Sequence, residues 1–143
     1  MLDNYKNILV AIDGSEHSEH AFAEAVEAAK RHDAKLNVIS IINDSELSTS
    51  AFSFSKIYAA EKEQVEKELL KKVHDASRKE FENIEPFVDL GSPKEKIVEF
   101  AKDNDVDMIY LGATGKGEIS LSRIGSTAAY VVNHAPCSVT VIR

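Results

Sequence analysis

The sequence predicts an α/β protein built on an open, doubly wound parallel sheet of five strands, with helices on both faces of the sheet. Short apolar runs, each about the length of a buried strand, alternate with longer segments whose apolar residues recur at helical spacing. The fourth of these five apolar runs is followed by glycines and then by another helical segment. Ligand sites in such sheets are found at strand ends of this kind. The predicted element order is β-α-β-α-β-α-β-α-β.

The first βαβ unit has the most regular pattern. Residues 7–12 form a nearly continuous apolar run, which is typical of a strand that is buried on both faces. Ser15 is a good N-cap for a helix over residues 16–32, and residues 36–42 form the second strand. We expect a right-handed crossover between these two parallel strands.

The middle of the chain is less regular. Residues 43–54 are serine-rich and aperiodic, and they predict a mobile loop that could lie over a ligand site. A long helix is predicted over residues 55–80, with a charged face in solvent and too few heptads for a coiled-coil seam. Residues 84–90 alternate in polarity and contain Pro86, which cannot donate to a central ladder, so this strand is expected at a sheet edge.

The next helix has a clear start signal. Ser92 is placed to cap it, Pro93 occupies its first position, and Glu95 stands three residues after the cap, as in a capping box. The helical pattern ends near Asn104.

The last part of the chain supplies two strands and a helix between them. A fourth strand is predicted at residues 107–111, a helix around residues 128–132 and a fifth strand at Ser138–Ile142. The edge-like third and fifth strands fit the strand order 3-2-1-4-5. Ligands bind such sheets where the order reverses, which here is the carboxyl ends of the first and fourth strands, at Asp13 and Gly112.

Composition limits the function classes. The 143 residues are expected to form a single domain over 1–143. A net charge of −7, from 24 acidic and 17 basic residues, argues against nucleic-acid binding, and no apolar stretch reaches the roughly 20 residues that would cross a membrane. The single cysteine, Cys137, excludes an internal disulfide, and with no export signal at the N-terminus it predicts a cytoplasmic protein.

The glycine spacing is the strongest functional signal. Gly112 and Gly115 are followed after nine residues by Gly125-Ser126-Thr127, between a strand and a helix. A helix start offers unpaired N–H donors and a positive dipole end, which favour phosphate. The pattern is neither a Walker A loop nor a dinucleotide fingerprint, and the alternative is a loop whose glycines serve only its turns.

The spacing G-x2-G-x9-G-[S/T] resembles the ATP-binding signature of the universal stress protein family. Asp13-Gly-Ser and the C-terminal segment from His134 to Arg143 also resemble that family, so the resemblance covers the whole chain. It implies a Rossmann-like, adenine nucleotide alpha hydrolase-like fold and an ATP-binding regulatory or stress-response module. It further implies ATP with Mg²⁺ or another divalent cation, and a homodimer formed through the last strand.

The resemblance also assigns roles to residues. Gly112 and Gly115 would pass close to the ribose and phosphates, and Gly125, Ser126 and Thr127 would hold the β- and γ-phosphates. The backbone of Ile41 would face the adenine. The remaining predicted contacts are Ala11, Ile12, Leu111 and Lys116.

Asp13 has two interpretations. By resemblance it accepts from the ribose hydroxyls or supports a metal–phosphate site, whereas from its position it could simply be a turn residue that binds the Gly14–Ser15 backbone.

Two departures from the family pattern concern the phosphates. Thr114 stands where Arg or His is frequent, and Ala128 stands where a second hydroxyl is frequent. Lys116 would add positive charge, or is simply solvated.

No general base or nucleophile is predicted beside the phosphates, so any hydrolysis should be slow. The five histidines form no metal-ligand spacing with Cys137, and a catalytic pair of His134 and Cys137 is not expected. Two other functions remain open: an ATP-cleaving enzyme on this scaffold, and a dimerising interaction protein that binds no nucleotide.

Overall fold

A computed structural model describes residues 4–47, 51–115 and 123–143. Within these ranges the chain forms five strands and four α-helices. The strands are β1 (Asn7–Ala11), β2 (Lys35–Asn43), β3 (Ile84–Gly91), β4 (Met108–Gly112) and β5 (Ser138–Ile142), and the helices are α1 (Glu16–His32), α2 (Ala51–Arg78), α3 (Pro93–Asp103) and α4 (Ser126–His134).

The five strands form one parallel sheet in the order β3-β2-β1-β4-β5, which confirms the predicted order. At the centre, Val10 pairs with Val38 of β2 on one side and with Tyr110 of β4 on the other. The first connection runs from β1 to β2, and the chain later returns to the opposite side of β1 with β4. The strand order therefore reverses between β1 and β4, and their carboxyl ends lie side by side.

The sheet is covered by helices on both faces. Alternate side chains of the central strand enter different apolar clusters, since successive strand residues point to opposite faces. Ile8 and Val10 pack in the cluster that contains the apolar residues of α1 and α2, and Leu9 packs in the cluster of α3 and α4. All three are fully buried, so the central strand is fixed from both sides.

The prediction for residues 43–54 was wrong in part. Asn43 ends β2 and its side chain accepts from the Ser45 N–H at 3.1 Å, which starts a 3-10 helix over Asp44–Glu46. Residues 48–50 lie outside the described ranges. Residues 51–54 belong to α2, which begins four residues before the predicted start; the rings of Phe54 and Tyr58, one helical turn apart, stack at 6.3 Å.

The two predicted helix caps have different outcomes. The Ser15 side chain accepts from the Ser18 N–H at 3.2 Å, which confirms the first cap. Ser92 occupies the cap position of α3 and Pro93 its first turn, but the Ser92 side chain makes no capping hydrogen bond, so the predicted capping box is wrong.

The bounds of the other elements differ from prediction by one or two residues at most. In the part of the chain that is described, no helix has the length and apolarity needed to cross a membrane.

Candidate functional site

A cleft of about 1060 Å³ opens at the carboxyl ends of the central strands. Its size is at the upper end of the range for small-molecule sites. Every predicted binding residue within the described ranges lines it: Ala11, Ile12, Asp13, Ile41, Leu111, Gly112, Gly115, Gly125, Ser126 and Thr127. Lys116 lies outside the described residues. Residues up to 116 positions apart in the chain thus line one cleft where the strand order reverses.

The β2 side of the cleft presents backbone polar groups. β1 pairs with β2 only as far as Ala11 and Ile39, and the Ile12 N–H then donates to the Ile39 carbonyl at 2.9 Å. β2 continues to Asn43. Because alternate residues of a strand direct their N–H and C=O groups to the same side, those of Ile41 point past the end of β1. The N–H and C=O groups of Ile41 therefore face the cleft.

The opposite side of the cleft is the start of α4. Gly125 is its N-cap, and the Gly125 N–H donates to the Ala113 carbonyl at 2.6 Å. The N–H groups of Ser126 and Thr127, in the first turn, have no acceptor within the helix, as at any helix start. Gly125 therefore fixes the loop to the helix, while the next two residues offer the donors that an anion would use.

Gly112, at the end of β4, and Gly115, in the loop that follows, have different surroundings. A Cβ atom at Gly112 would lie 2.8 Å from the carbonyl carbon and the Cβ of His17, so this glycine lets β4 approach the backbone of α1. A Cβ atom at Gly115 would lie 2.9 Å from Oδ2 of Asp13. Gly112 is thus needed for the packing of a strand against a helix, and Gly115 leaves room for a carboxylate.

Asp13 organises the turn that follows β1. Its Oδ1 accepts from the Ser15 N–H at 2.9 Å, and its own N–H donates to Oγ of Ser18 at 3.3 Å. The first of these is the hydrogen bond that the turn interpretation of Asp13 predicts. The carboxylate is nevertheless exposed, and its Oδ2 lies beside Gly115 on the cleft wall. The same side chain thus shapes the turn and lines the cleft.

Two residues of α1 contribute to this site in a way that the sequence analysis missed. Ser18 is buried, and its hydroxyl, which donates to the Ser15 carbonyl at 2.9 Å, holds the Asp13 N–H. Nδ1 of His17 lies 3.3 Å from the backbone nitrogen of Thr114 and 2.7 Å from its Oγ1. Thr114 belongs to the loop that follows β4 and contains Gly115, which we call the glycine loop. The Ser15–Ser18 spacing could have signalled the first contact, but nothing local in the sequence signals the second.

Charged residues of α2 form the outer wall of the cleft. Lys72 forms an ion pair with Glu19 of α1, and its Nζ lies 5.1 Å from the centroid of the Phe22 ring, so it ties the two helices together. Among the described lining residues, acidic side chains outnumber lysines: Asp13, Glu19, Glu61, Glu68 and Asp75 against Lys71 and Lys72. The sequence pattern had assigned this face of α2 to solvent alone.

The histidines and the cysteine have other surroundings. No group of three or more His, Cys, Asp or Glu side chains in the described ranges could hold a metal ion. The His134 ring stacks on Tyr130 at 4.1 Å, and its Nδ1 lies 2.9 Å from the Tyr130 carbonyl oxygen. Burial raises the pKa of the Cys137 thiol, and the nearby charge of Asp107 raises it further, which keeps the thiol in its unreactive form.

The fold and the cleft define an α/β protein with a candidate ligand site at the reversal of the strand order, beside a glycine-capped helix start. The model of the universal stress protein family matches residues 4–143, and the chain belongs to this family.

Individual relatives agree with this assignment. A Staphylococcus haemolyticus protein assigned to the universal stress proteins is 39% identical over 141 residues, which cover 97% of this chain and 85% of the relative. The structure of the universal stress protein UspA from Lactobacillus plantarum is 36% identical, with a TM-score of 0.91 over 99% of this chain and all of that one. A universal stress protein solved in complex with cAMP shares the fold, at 24% identity and a TM-score of 0.69, over 99% of this chain and 98% of its own.

Proposed function

We propose that this protein binds ATP in the cleft and acts as a regulatory or stress-response module with little or no hydrolysis of its own. The observation that carries the proposal is the start of α4, where Gly125 is bonded to the loop and the N–H groups of Ser126 and Thr127 are left for an anion. That a family relative was solved with cAMP supports an adenine nucleotide as the ligand.

The ligand's parts fit different sides of the cleft. The adenine would lie beside Ile41, whose N–H and C=O point past the end of β1 and match the donor and acceptor edge of the base. The ribose would lie near Asp13 and Gly115. The β- and γ-phosphates would lie at Ser126 and Thr127, and we place Lys116 near them as well. This order follows the sheet from β2, across β1, to the loop after β4.

A divalent cation is part of the proposal. The described lining residues carry more carboxylates than lysines, so a bare triphosphate would be repelled. Mg²⁺ is usually held by one or two carboxylates together with substrate phosphates. Asp13 is the carboxylate beside the glycine loop, and we assign it the contact to this ion or to the ribose.

Calorimetric titration tests the proposal directly. The parent protein should bind ATP in the presence of Mg²⁺, and Asp13→Asn should bind it about ten-fold more weakly, because a hydrogen bond or metal contact from a charged group is lost. The asparagine Oδ1 can still accept from the Ser15 N–H, so the melting temperature should hold. An absence of heat with ATP, ADP and AMP alike would disprove nucleotide binding, and phosphate release well above background would favour an enzyme.

We further propose that the protein is a homodimer, formed through β5. The two sheet edges differ: β3 carries Pro86, Glu85 and Asp89, whereas Ser138–Ile142 contains neither proline nor charge. Charges and proline are the devices that protect an edge from pairing. A bare edge invites antiparallel pairing with the same strand of a second copy, which gives a two-fold symmetric interface.

The register of β5 identifies the groups that would pair. The Ala113 N–H donates to the Ile142 carbonyl at 2.7 Å, so the backbone groups of Ile142 and, by alternation, Thr140 face β4. Those of Val139 and Val141 then face the open edge. Val141→Pro removes an outward N–H only, whereas Thr140→Pro removes a donor to β4.

Light scattering at micromolar concentration should give about twice the chain mass of 15.8 kDa for the parent protein. Val141→Pro should scatter as a folded monomer, and Thr140→Pro should instead lose stability, because its ladder bond lies within the chain. A monomeric parent would refute the dimer, and a dimeric Val141→Pro would move it to another surface.

A further inference from the structure

We propose that His17 is a positioning residue of the nucleotide site, which holds the glycine loop through the backbone of Thr114 before any ligand is bound. The expected effect on nucleotide affinity rests on the proposed function. The contact between His17 and Thr114 can be tested without a nucleotide.

The contact joins residues that are 97 positions apart in sequence. The Thr114 N–H donates to Nδ1 of His17 at 3.3 Å, and Oγ1 of Thr114 lies 2.7 Å from the same nitrogen. A backbone N–H can only donate, so the 3.3 Å contact makes Nδ1 an acceptor, and in this arrangement the Thr114 hydroxyl can donate to the same nitrogen. The imidazole therefore acts as an acceptor for the loop.

The reach of this side chain depends on the packing of β4 against α1. A Cβ atom at Gly112 would lie only 2.8 Å from the carbonyl carbon of His17, so the end of β4 lies very close to α1. This close packing brings Thr114, two residues later, within reach of the imidazole. The same helical turn is itself fixed, since Ser15 caps it and Ser18 binds the Asp13 N–H. One turn of α1 thus holds two residues of the cleft lining: it binds Asp13 through Ser18 and Thr114 through His17.

Holding Thr114 also fixes the phosphate side of the site. Thr114 follows Ala113, whose carbonyl accepts the Gly125 N–H at 2.6 Å and so sets the start of α4. It precedes Gly115, a residue with more conformational freedom than any other type. A loop that is ordered in advance loses less entropy when a ligand binds, so the anchor should raise affinity without touching the nucleotide.

Three substitutions at position 17 separate the acceptor from the rest of the side chain. His17→Ala removes the acceptor, His17→Asn returns an oxygen close to the position of Nδ1, and His17→Gln places its oxygen near the position of Nε2 instead. We expect ATP affinity to fall about two- to ten-fold in the alanine and glutamine variants and to return towards the parent value in the asparagine variant. His32→Ala is the matched control, because His32 is on the same helix and contacts Tyr5 rather than the loop.

A second measurement uses the nucleotide-free protein. Exchange of the Thr114 amide hydrogen should be faster in His17→Ala and His17→Gln than in the parent, and close to the parent rate in His17→Asn. If exchange follows this pattern but the parent binds no nucleotide, the anchor stands and the proposed function fails. If exchange and affinity are the same in all four proteins, or if asparagine rescues neither, the positioning role of His17 is refuted.

Discussion

Gly125→Val should weaken ATP binding by about ten-fold or more, the largest effect on affinity that we expect from a single change. The backbone of Gly125 has φ −73° and ψ 172°, which valine adopts readily, so the helix should still start there. The new branched side chain would stand beside the first-turn N–H groups and displace the phosphates from them. Losing one or two such contacts, at roughly 1–3 kcal/mol each, gives the expected factor.

The measurement is a calorimetric titration of parent and variant under identical conditions, with melting temperatures recorded on the same samples. Asn133→Val is a suitable control, because it adds a valine to the exposed side of α4, outside the cleft. Equal affinities for the parent and Gly125→Val would mean that the phosphates do not lie at this helix start.

Gly112→Val should lower the free energy of unfolding by about 2–3 kcal/mol, within the range that overpacking usually costs. The added Cβ would meet the carbonyl carbon and the Cβ of His17 at 2.8 Å, and the nitrogen of Ser18 at 2.9 Å. Two of these three atoms belong to the backbone of α1, which cannot move without disturbing the cap at Ser15 and the central strands. Even Gly112→Ala should be clearly destabilising.

Urea unfolding of the nucleotide-free protein provides the test, and Gly115→Ala is the matched comparison. Among the described residues, a Cβ at Gly115 would come close only to Oδ2 at the end of the exposed Asp13 side chain, so its effect on stability should be much smaller. If Gly112→Ala unfolded at the same urea concentration as the parent, the close packing of β4 on α1 would be wrong.

The sheet could be predicted from sequence because its edges and centre differ in composition. Pro86 excluded a central position for β3, and unbroken apolar runs marked the central strands. The cleft followed from topology, since the ends of β1 and β4 must meet where the strand order reverses. The start of α2 was missed because serines, which favour caps and turns, dominate the segment before it, while packing between Phe54 and Tyr58 continues the helix into that segment.

Contacts between distant side chains were the part that the sequence could not provide. The anchor from His17 to Thr114 exists only because β1 and β4 pair and Gly112 lets the strand approach the helix. The resemblance had assigned Gly112 to ligand contact. The structure gives another reason for a glycine there, because a side chain at this position would collide with the backbone of α1. Periodicity reports which face of an element is buried, but not which atoms meet across it.

The uneven packing of α2 has a consequence for how the protein opens locally. Among the side chains described in this 28-residue helix, only Leu69 and Ala76 are buried, and both are in its second half. The first half depends more on intrinsic helix propensity and on the Phe54–Tyr58 stack than on the core, and propensity alone is marginal in water for a segment of that length. Partial unfolding should therefore begin at Ala51 and stop near Leu69, while the sheet stays intact. Glu61 and Gln64 belong to this less stable half and line the cleft, so the candidate ligand site borders the part of the helix that we expect to unfold first.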